Sequence, residues 1–315
     1  MSIAYMCRWL GSMPMVSAKQ LVRQLAHSGI GLLATVVSSQ CLALVNVVDD
    51  RGDPVSLASP ATRVISLAPN LTELLFHIGA GDRVVGVMEY SDFPPAAKTL
   101  PRVGAHNHFD IETILALRPD LIVGWDSGNP QSDLIQLDEL GLPVFVSEAQ
   151  DVEGVSSLMR RLGTLTGQQD QANQQADAFA REVARLQALY SGRRRLRVFY
   201  QVWDQPIYTL NREHIINDLI DACGGENIFA DLERLAPVVS LESVIARDPE
   251  VIVGGRDTSA TPPWMMRWQR WSGITAVRNA HVYAIDANHI GRMGPRLVDG
   301  MEALCGVIDK ARRAS

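Results

Sequence analysis

Short apolar runs alternate along this chain with segments whose apolar residues recur at helical spacing. Residues 46–57 predict a hairpin turning at Arg51-Gly52. Residues 64–67 predict a strand. Asn70 is placed to cap a helix over 71–78, which Gly79 and Gly81 stop. A strand over 84–87 leads into the loop 89–95. Asp110 caps a further helix, Pro119 breaks it, and 121–123 predict a strand. A helix over 130–140 precedes a strand over 144–146.

Residues 168–190 differ. They hold no Gly or Pro, and Ala172, Ala176, Phe179, Val183, Leu186 and Leu189 recur at helical spacing. A helix of this length spans about 33–35 Å at a rise of 1.5 Å per residue. Arg193, Arg194 and Arg195 close it, which suits the negative end of a helix dipole. The alternation then restarts: a strand over 198–202, a helix over 215–222, Gly224-Gly225 as a stop, a second helix, then strands over 251–253 and 282–285. The expected fold class is α/β: two similar α/β lobes with mainly parallel sheets, joined by a single long α-helix. Its expected parts are a leader over 1–43, a first lobe over 44–166, a connector over 167–193 and a second lobe over 194–315. One stiff connecting helix predicts little hinge bending.

One stretch occurs twice. Residues 110–129 read DIETILALRPDLIVGWDSGN and residues 240–259 read SLESVIARDPEVIVGGRDTS, offset by 130 without a gap. Glu112 matches Glu242, Pro119 matches Pro249, and Ile122-Val123-Gly124 recurs as Ile252-Val253-Gly254. Each glutamate falls in the first turn of its helix, where the dipole favours a carboxylate. That accounts for each alone. A matched pair, one per lobe, suits a two-fold symmetric partner offering an arginine to each.

Charge and cysteine use add a compartment. The net charge of −6 gives no support for nucleic-acid binding. Residues 1–43 carry only basic charges, Arg8, Lys19 and Arg23, ahead of an apolar run over 30–37 and the small residue Ala43. This reads as an export signal, removed to leave a periplasmic protein, with a membrane anchor or buried strand as the competing reading. Cys7 and Cys41 fall in that leader. Cys223 and Cys305 remain, and an even pair in an oxidising compartment suggests a disulfide, with two buried thiols as the alternative. Closing that loop is worth at most about 4–5 kcal/mol on the chain-entropy account.

Ligands of open α/β sheets bind beyond the carboxyl ends of the strands. Tyr90 and Phe93 follow one predicted strand, Trp125 and Asp126 another, Trp203, Asp204 and Tyr208 a third, and Asn288, His289 and Arg292 a fourth. Such a rim suits a large, flat, partly apolar ligand; interior packing is the alternative for Trp125 and Trp203. The nucleophile elbow, phosphate loop and zinc-protease helix signatures are absent from the sequence. No enzyme and no resident metal or cofactor is expected. His106 and His108 are two apart in a loop, with His289 distant, and read better as solvated loop residues than as metal ligands.

Together these features resemble the extracytoplasmic substrate-binding proteins of ABC importers whose lobes are joined by one long helix, and among them the cobalamin-binding members. The matching stretches run from about Arg63 to Ile308 and include RVISLAPNLTEL, YSDFPP, GW-x-x-GN at Trp125, CGGENIF at Cys223, VS-x-E at Glu242 and PR at Pro295. The resemblance implies cobalamin as transported ligand, touched by Tyr90, Trp125 and residues 288–292. It implies a Cys223–Cys305 disulfide, and Glu112 and Glu242 engaging arginines of a permease dimer. The chain departs from the pattern at three points. Ala236 and His106 stand where corrin-contacting tryptophans are expected, and 288–292 read Asn-His-Ile-Gly-Arg, so Trp203 is the candidate substitute. Haem or an iron chelate is the alternative ligand, with Tyr90, His106 and His289 as candidate iron ligands. An exported metal enzyme using His106, His108 and Asp110 is a reading of a different class.

Overall fold

The fold is described from a computed structural model, which covers residues 44–314 except 106, 258 and 259. The leader over 1–43, with Cys7 and Cys41, and the candidate ligand His106 lie outside the described residues. Strands β1 (Val45–Val48) and β2 (Pro54–Leu57) form an antiparallel hairpin. Its turn is held by the Asp49 carboxylate, which accepts from the Arg51 and Asp53 amides at 2.9 Å each. The first lobe continues as β3 (Val64–Ser66), α1 (Pro69–His77), β4 (Val84–Val87) and a small pair, β5 (Gly104–Ala105) with β6 (His108–Phe109). It ends with α2 (Ile111–Ala116), β7 (Leu121–Trp125), α3 (Gln131–Glu139), β8 (Val144–Ser147) and α4 (Val152–Thr166). The connecting helix is α5 (Gln169–Tyr190). The second lobe holds β9 (Leu196–Gln201), α6 (Ile215–Ala222), β10 (Gly225–Asn227), α7 (Leu241–Arg247), β11 (Val251–Arg256) and α8 (Pro263–Trp268). It closes with α9 (Thr275–Arg278), β12 (Val282–Asp286), α10 (Ala287–Ile290) and α11 (Leu297–Ala314).

The two central sheets have the same topology. Their orders are β4-β3-β7-β8 and β10-β9-β11-β12, and every pairing within them is parallel. Alternating residues of each strand feed opposite faces. Val64, Leu121 and Val123, like Val198, Val251 and Val253, point into one continuous central core that includes the α5 stripe. Ile65 and Ile122 enter a separate outer cluster of the first lobe, and Phe199 and Ile252 one of the second.

Three local expectations change. Helix α1 starts at Pro69, with Ala68 as its cap; proline at the first position presets the helical φ, and Asn70 lies inside the first turn and is buried. Helix α4 was not expected. It buries Val155, Leu158, Met159, Leu162 and Leu165 and packs closely along α5. A Cβ on Gly163 would stand 2.3 Å from that of Ala172, so only glycine permits this approach. The arginine triplet lies past the last turn of α5 and ties it to the second lobe through three carboxylates: Arg193 to Asp309, Arg194 to Glu250 and Arg195 to Asp221. Burial alone would raise the Asp309 carboxyl; hydrogen bonds from Arg193, Arg313 and Arg312 outweigh it and hold its pKa at about 2.

Cys223, just past α6, is joined to Cys305 on α11, with Cα atoms 4.7 Å apart and both residues fully buried. Converting both cysteines to serine should lower unfolding free energy by about 2–5 kcal/mol in denaturant titration, and reductant should reproduce the loss in the unaltered protein. His214 caps α6, its Nδ1 accepting from the Ile216 amide at 3.2 Å, and burial pulls its pKa from 6.5 to about 4. The cap needs a neutral ring. Its stabilisation is therefore full above pH 6.5 and lost as pH falls through about 4, on the order of 3 kcal/mol. Thermal unfolding from pH 7 to 4 should show this loss, and His214→Asn, which caps without titrating, should reduce it.

Candidate functional site

The repeated segment builds the same frame twice. Asp110 caps α2 by accepting from the Thr113 amide at 3.0 Å, and the Ser240 hydroxyl caps α7 by accepting from the Ser243 amide at 3.2 Å. Each helix is followed by a residue in the left-handed region, Arg118 (φ 46°) and Asp248 (φ 40°). Arginines from the neighbouring strand segments close both ends: Arg63 donates to the Leu117 and Arg118 carbonyls and Arg197 to that of Asp248. Asp120 accepts from the Arg63 amide and Glu250 from that of Arg197. Glu112 and Glu242 project from these frames as exposed carboxylates, with no ion-pair partner among the described residues. A hydrogen bond from its own backbone, then one with Ser240, holds the Glu242 carboxyl below its usual range.

The aromatic candidates stand at strand ends. Tyr90 follows β4 with φ 62° and is 71% exposed. Trp125 ends β7 and packs one side on the central core. Its amide donates to Asn129 at 2.7 Å, and the buried Asn129 side chain donates to the Leu67 carbonyl, joining the ends of β7 and β3. Trp203 follows β9 and is 64% exposed. A bridge joins it to Tyr208, and a second joins Tyr208 to Val238, so exposed Val202, Trp203 and Val238 stand near one another. Beside them a cavity of about 520 Å³ is lined by Trp203, Asp204, Gly255, Arg256, Trp264 and Ala287. Asn288 and His289 lie half-buried on α10.

The lobes meet through charge. Arg292 donates to the Glu73 carboxylate at 2.8 Å, to Asp92 at 3.1 Å and to the Tyr90 carbonyl at 3.3 Å. Arg296 donates to Glu73 at 2.8 and 2.6 Å, and its guanidinium lies 4.1 Å from the Phe93 ring centroid. The segment after β12 thus sits against the loop after β4. Trp125 and Trp203 have no direct contact with this cluster among those described.

Residues 64–289 match the periplasmic binding protein family. The chain belongs to that family. It is 36% identical over 254 residues to the vitamin B12-binding protein of Vibrio cholerae serotype O1, covering 81% of this chain and 91% of that protein. The solved structure of the periplasmic vitamin B12 binding protein BtuF of Vibrio cholerae superposes with a TM-score of 0.75 at 36% identity, covering 81% of this chain and 99% of that one. The periplasmic heme-binding protein RhuT from Roseiflexus sp. RS-1 superposes with a TM-score of 0.71 at 24% identity, covering 80% and 99%, a likeness of fold alone.

Within this periplasmic binding protein, Tyr90, Phe93 and Arg292 are brought together. Arg292 and Phe93, expected as rim residues, also take part in the lobe contact: Arg292 through Glu73, Phe93, still 40% exposed, beneath Arg296. His108 is exposed, with Nδ1 3.4 Å from the Asp133 carboxylate, and both Asp110 oxygens accept from Thr113. No group of three or more His, Cys, Asp or Glu is set to hold a metal among the described residues. Glu73 and Arg296 received no role from the sequence. The available signal was the one acid of a helix, set among the buried Leu71, Leu74 and Leu75.

Proposed function

We propose that this protein is the extracytoplasmic substrate-binding component of an ABC importer, holding cobalamin between its lobes and delivering it to the permease. Residues 1–43 serve as its export signal, 44–166 and 194–315 as its lobes, and 167–193 as the connector, and it works in the periplasm without catalysing a reaction. The observation that carries this reading is that exposed aromatic residues follow strands in both lobes, Tyr90 in the first and Trp203 in the second, with the lobes joined at Arg292 beside Tyr90. A corrin offers flat apolar faces and a fringe of amides. Aromatic walls suit the faces, and Asn288 and His289 are available to the fringe. Ala236 lies two residues from Val238, which is bridged through Tyr208 to Trp203, so the exposed Trp203 is the candidate substitute for the missing tryptophan. The 36% identity to a vitamin B12-binding protein supports the ligand class.

Glu112 and Glu242 are the permease contacts in this reading. They are exposed, without an ion-pair partner among the described residues, and set in equivalent frames, as two arginines related by a two-fold axis require.

Calorimetric titration of the mature chain with cyanocobalamin should give saturable one-to-one binding. Tyr90→Ala and Trp203→Ala should each weaken it about ten-fold, or about 1.4 kcal/mol. Absence of heat at micromolar protein, together with a Soret band on haem addition that His289→Ala removes, would transfer the reading to haem. In vesicles carrying the cognate permease, Glu112→Ala with Glu242→Ala should reduce cobalamin uptake about ten-fold or more while leaving cobalamin affinity unchanged. Unchanged uptake would remove the two glutamates from docking.

A further inference from the structure

We propose that Glu73 is a positioning residue for ligand capture: without touching the ligand, it sets the Tyr90 wall through two arginines of the opposite lobe. The inference rests on the cleft reading above, but its structural half stands alone. Glu73 sits in the first turns of α1 with its side chain fully buried. A buried carboxylate is costly unless charged or hydrogen-bonding partners meet it. Here its oxygens accept from Arg292 and Arg296, more than 200 positions later in the chain. The partners of Glu73 are in place only when the lobes are seated together.

Each arginine carries that seating onward. Arg292 donates with the same guanidinium to Asp92 and to the Tyr90 carbonyl. Tyr90 has φ 62°, a left-handed conformation that is unfavourable for a non-glycine residue and persists where its surroundings hold it. Arg296 covers the Phe93 ring at the other end of the same loop. Hydrogen bonding to Glu73 raises the Arg296 pKa above its ordinary value, in keeping with a firmly held pair. One carboxylate therefore fixes two planar groups, and these hold the loop over 90–93 that carries the exposed Tyr90 ring.

The test is a double-mutant cycle on the mature chain with two readouts. Cyanocobalamin affinity is measured for the unaltered protein, Glu73→Gln, Tyr90→Ala and the pair. Glu73→Gln should weaken binding about ten-fold when Tyr90 is present and less than about two-fold when it is absent, because the two act as a unit. Equal losses in both backgrounds, or no loss in either, would overturn the proposal. Hydrogen exchange of the ligand-free protein is the second readout. Amides over 88–94 should exchange about ten-fold faster in Glu73→Gln while those of β7 and β11 keep their protection. Unchanged exchange over 88–94 would refute the positioning role even if the ligand were not cobalamin, and an unaltered protein that ignores cobalamin would refute the ligand alone. Should Glu73→Gln fail to fold, Arg292→Lys supports the same cycle, since one ammonium cannot span Glu73, Asp92 and Tyr90 together.

Discussion

The apolar stripe along the connecting helix is the constraint from which the architecture follows. Ala172, Ala176, Phe179, Val183 and Leu186 are buried on one face of α5 and join a single core with Leu71, Leu74 and Leu158 of the first lobe and Leu304 and Ile308 of the second. Each large side chain in such a core contributes about 1.5–3 kcal/mol through burial. Sliding or bending one lobe against the helix would expose that stripe. The lobes are held on a common spine rather than strung on a flexible linker, and what a ligand meets is set largely in advance.

Much of this was legible in the sequence. Parallel strands buried on both faces read as apolar runs, which is why β3, β7 and β11 were found at their observed starts, although β7 and β11 run on to Trp125 and Arg256. The glycine- and proline-free run before Tyr190 declared the connecting helix. The 130-residue repeat announced two equivalent units, and the physical reason is now visible: cap, left-handed stop, arginine closure and acidic anchor recur together. Helix α4 escaped because Gly154, Gly163, Thr164 and Thr166 dilute its pattern; its apolar residues make sense only beside α5, where Gly163 meets Ala172.

The lobe contact was not legible for a different reason. Sequence periodicity reports the face on which a residue lies, but not which distant group arrives there. Glu73 looked like an odd acid set among leucines, and Arg292 and Phe93 looked like rim residues. Only the tertiary fold brings positions 73, 92, 292 and 296 within hydrogen-bond reach. Buried charge is often a tax on stability rather than a gain. Its presence here, at the junction of two otherwise apolar lobes, fixes an orientation that non-directional apolar packing would leave less sharply defined.

The two lobes repeat in frame and diverge at their strand ends. At the repeat positions ending β7 and within β11, the first lobe carries Trp125-Asp126 and the second Gly255-Arg256. An indole fills the first; a bare glycine, with Ala287 only 3.0 Å from where a Cβ would stand, lines the 520 Å³ cavity in the second. The exposed tryptophan at a strand end of the second lobe, Trp203, instead follows β9, a strand outside the repeated segment. The helices α2 and α7 therefore repeat closely in frame, whereas the strand ends that follow them differ in bulk. Symmetry in the scaffold and asymmetry at its strand ends are separable properties of the same repeat, because capping and anchoring are settled by residues 110–120 and 240–250, before the chain reaches the cleft.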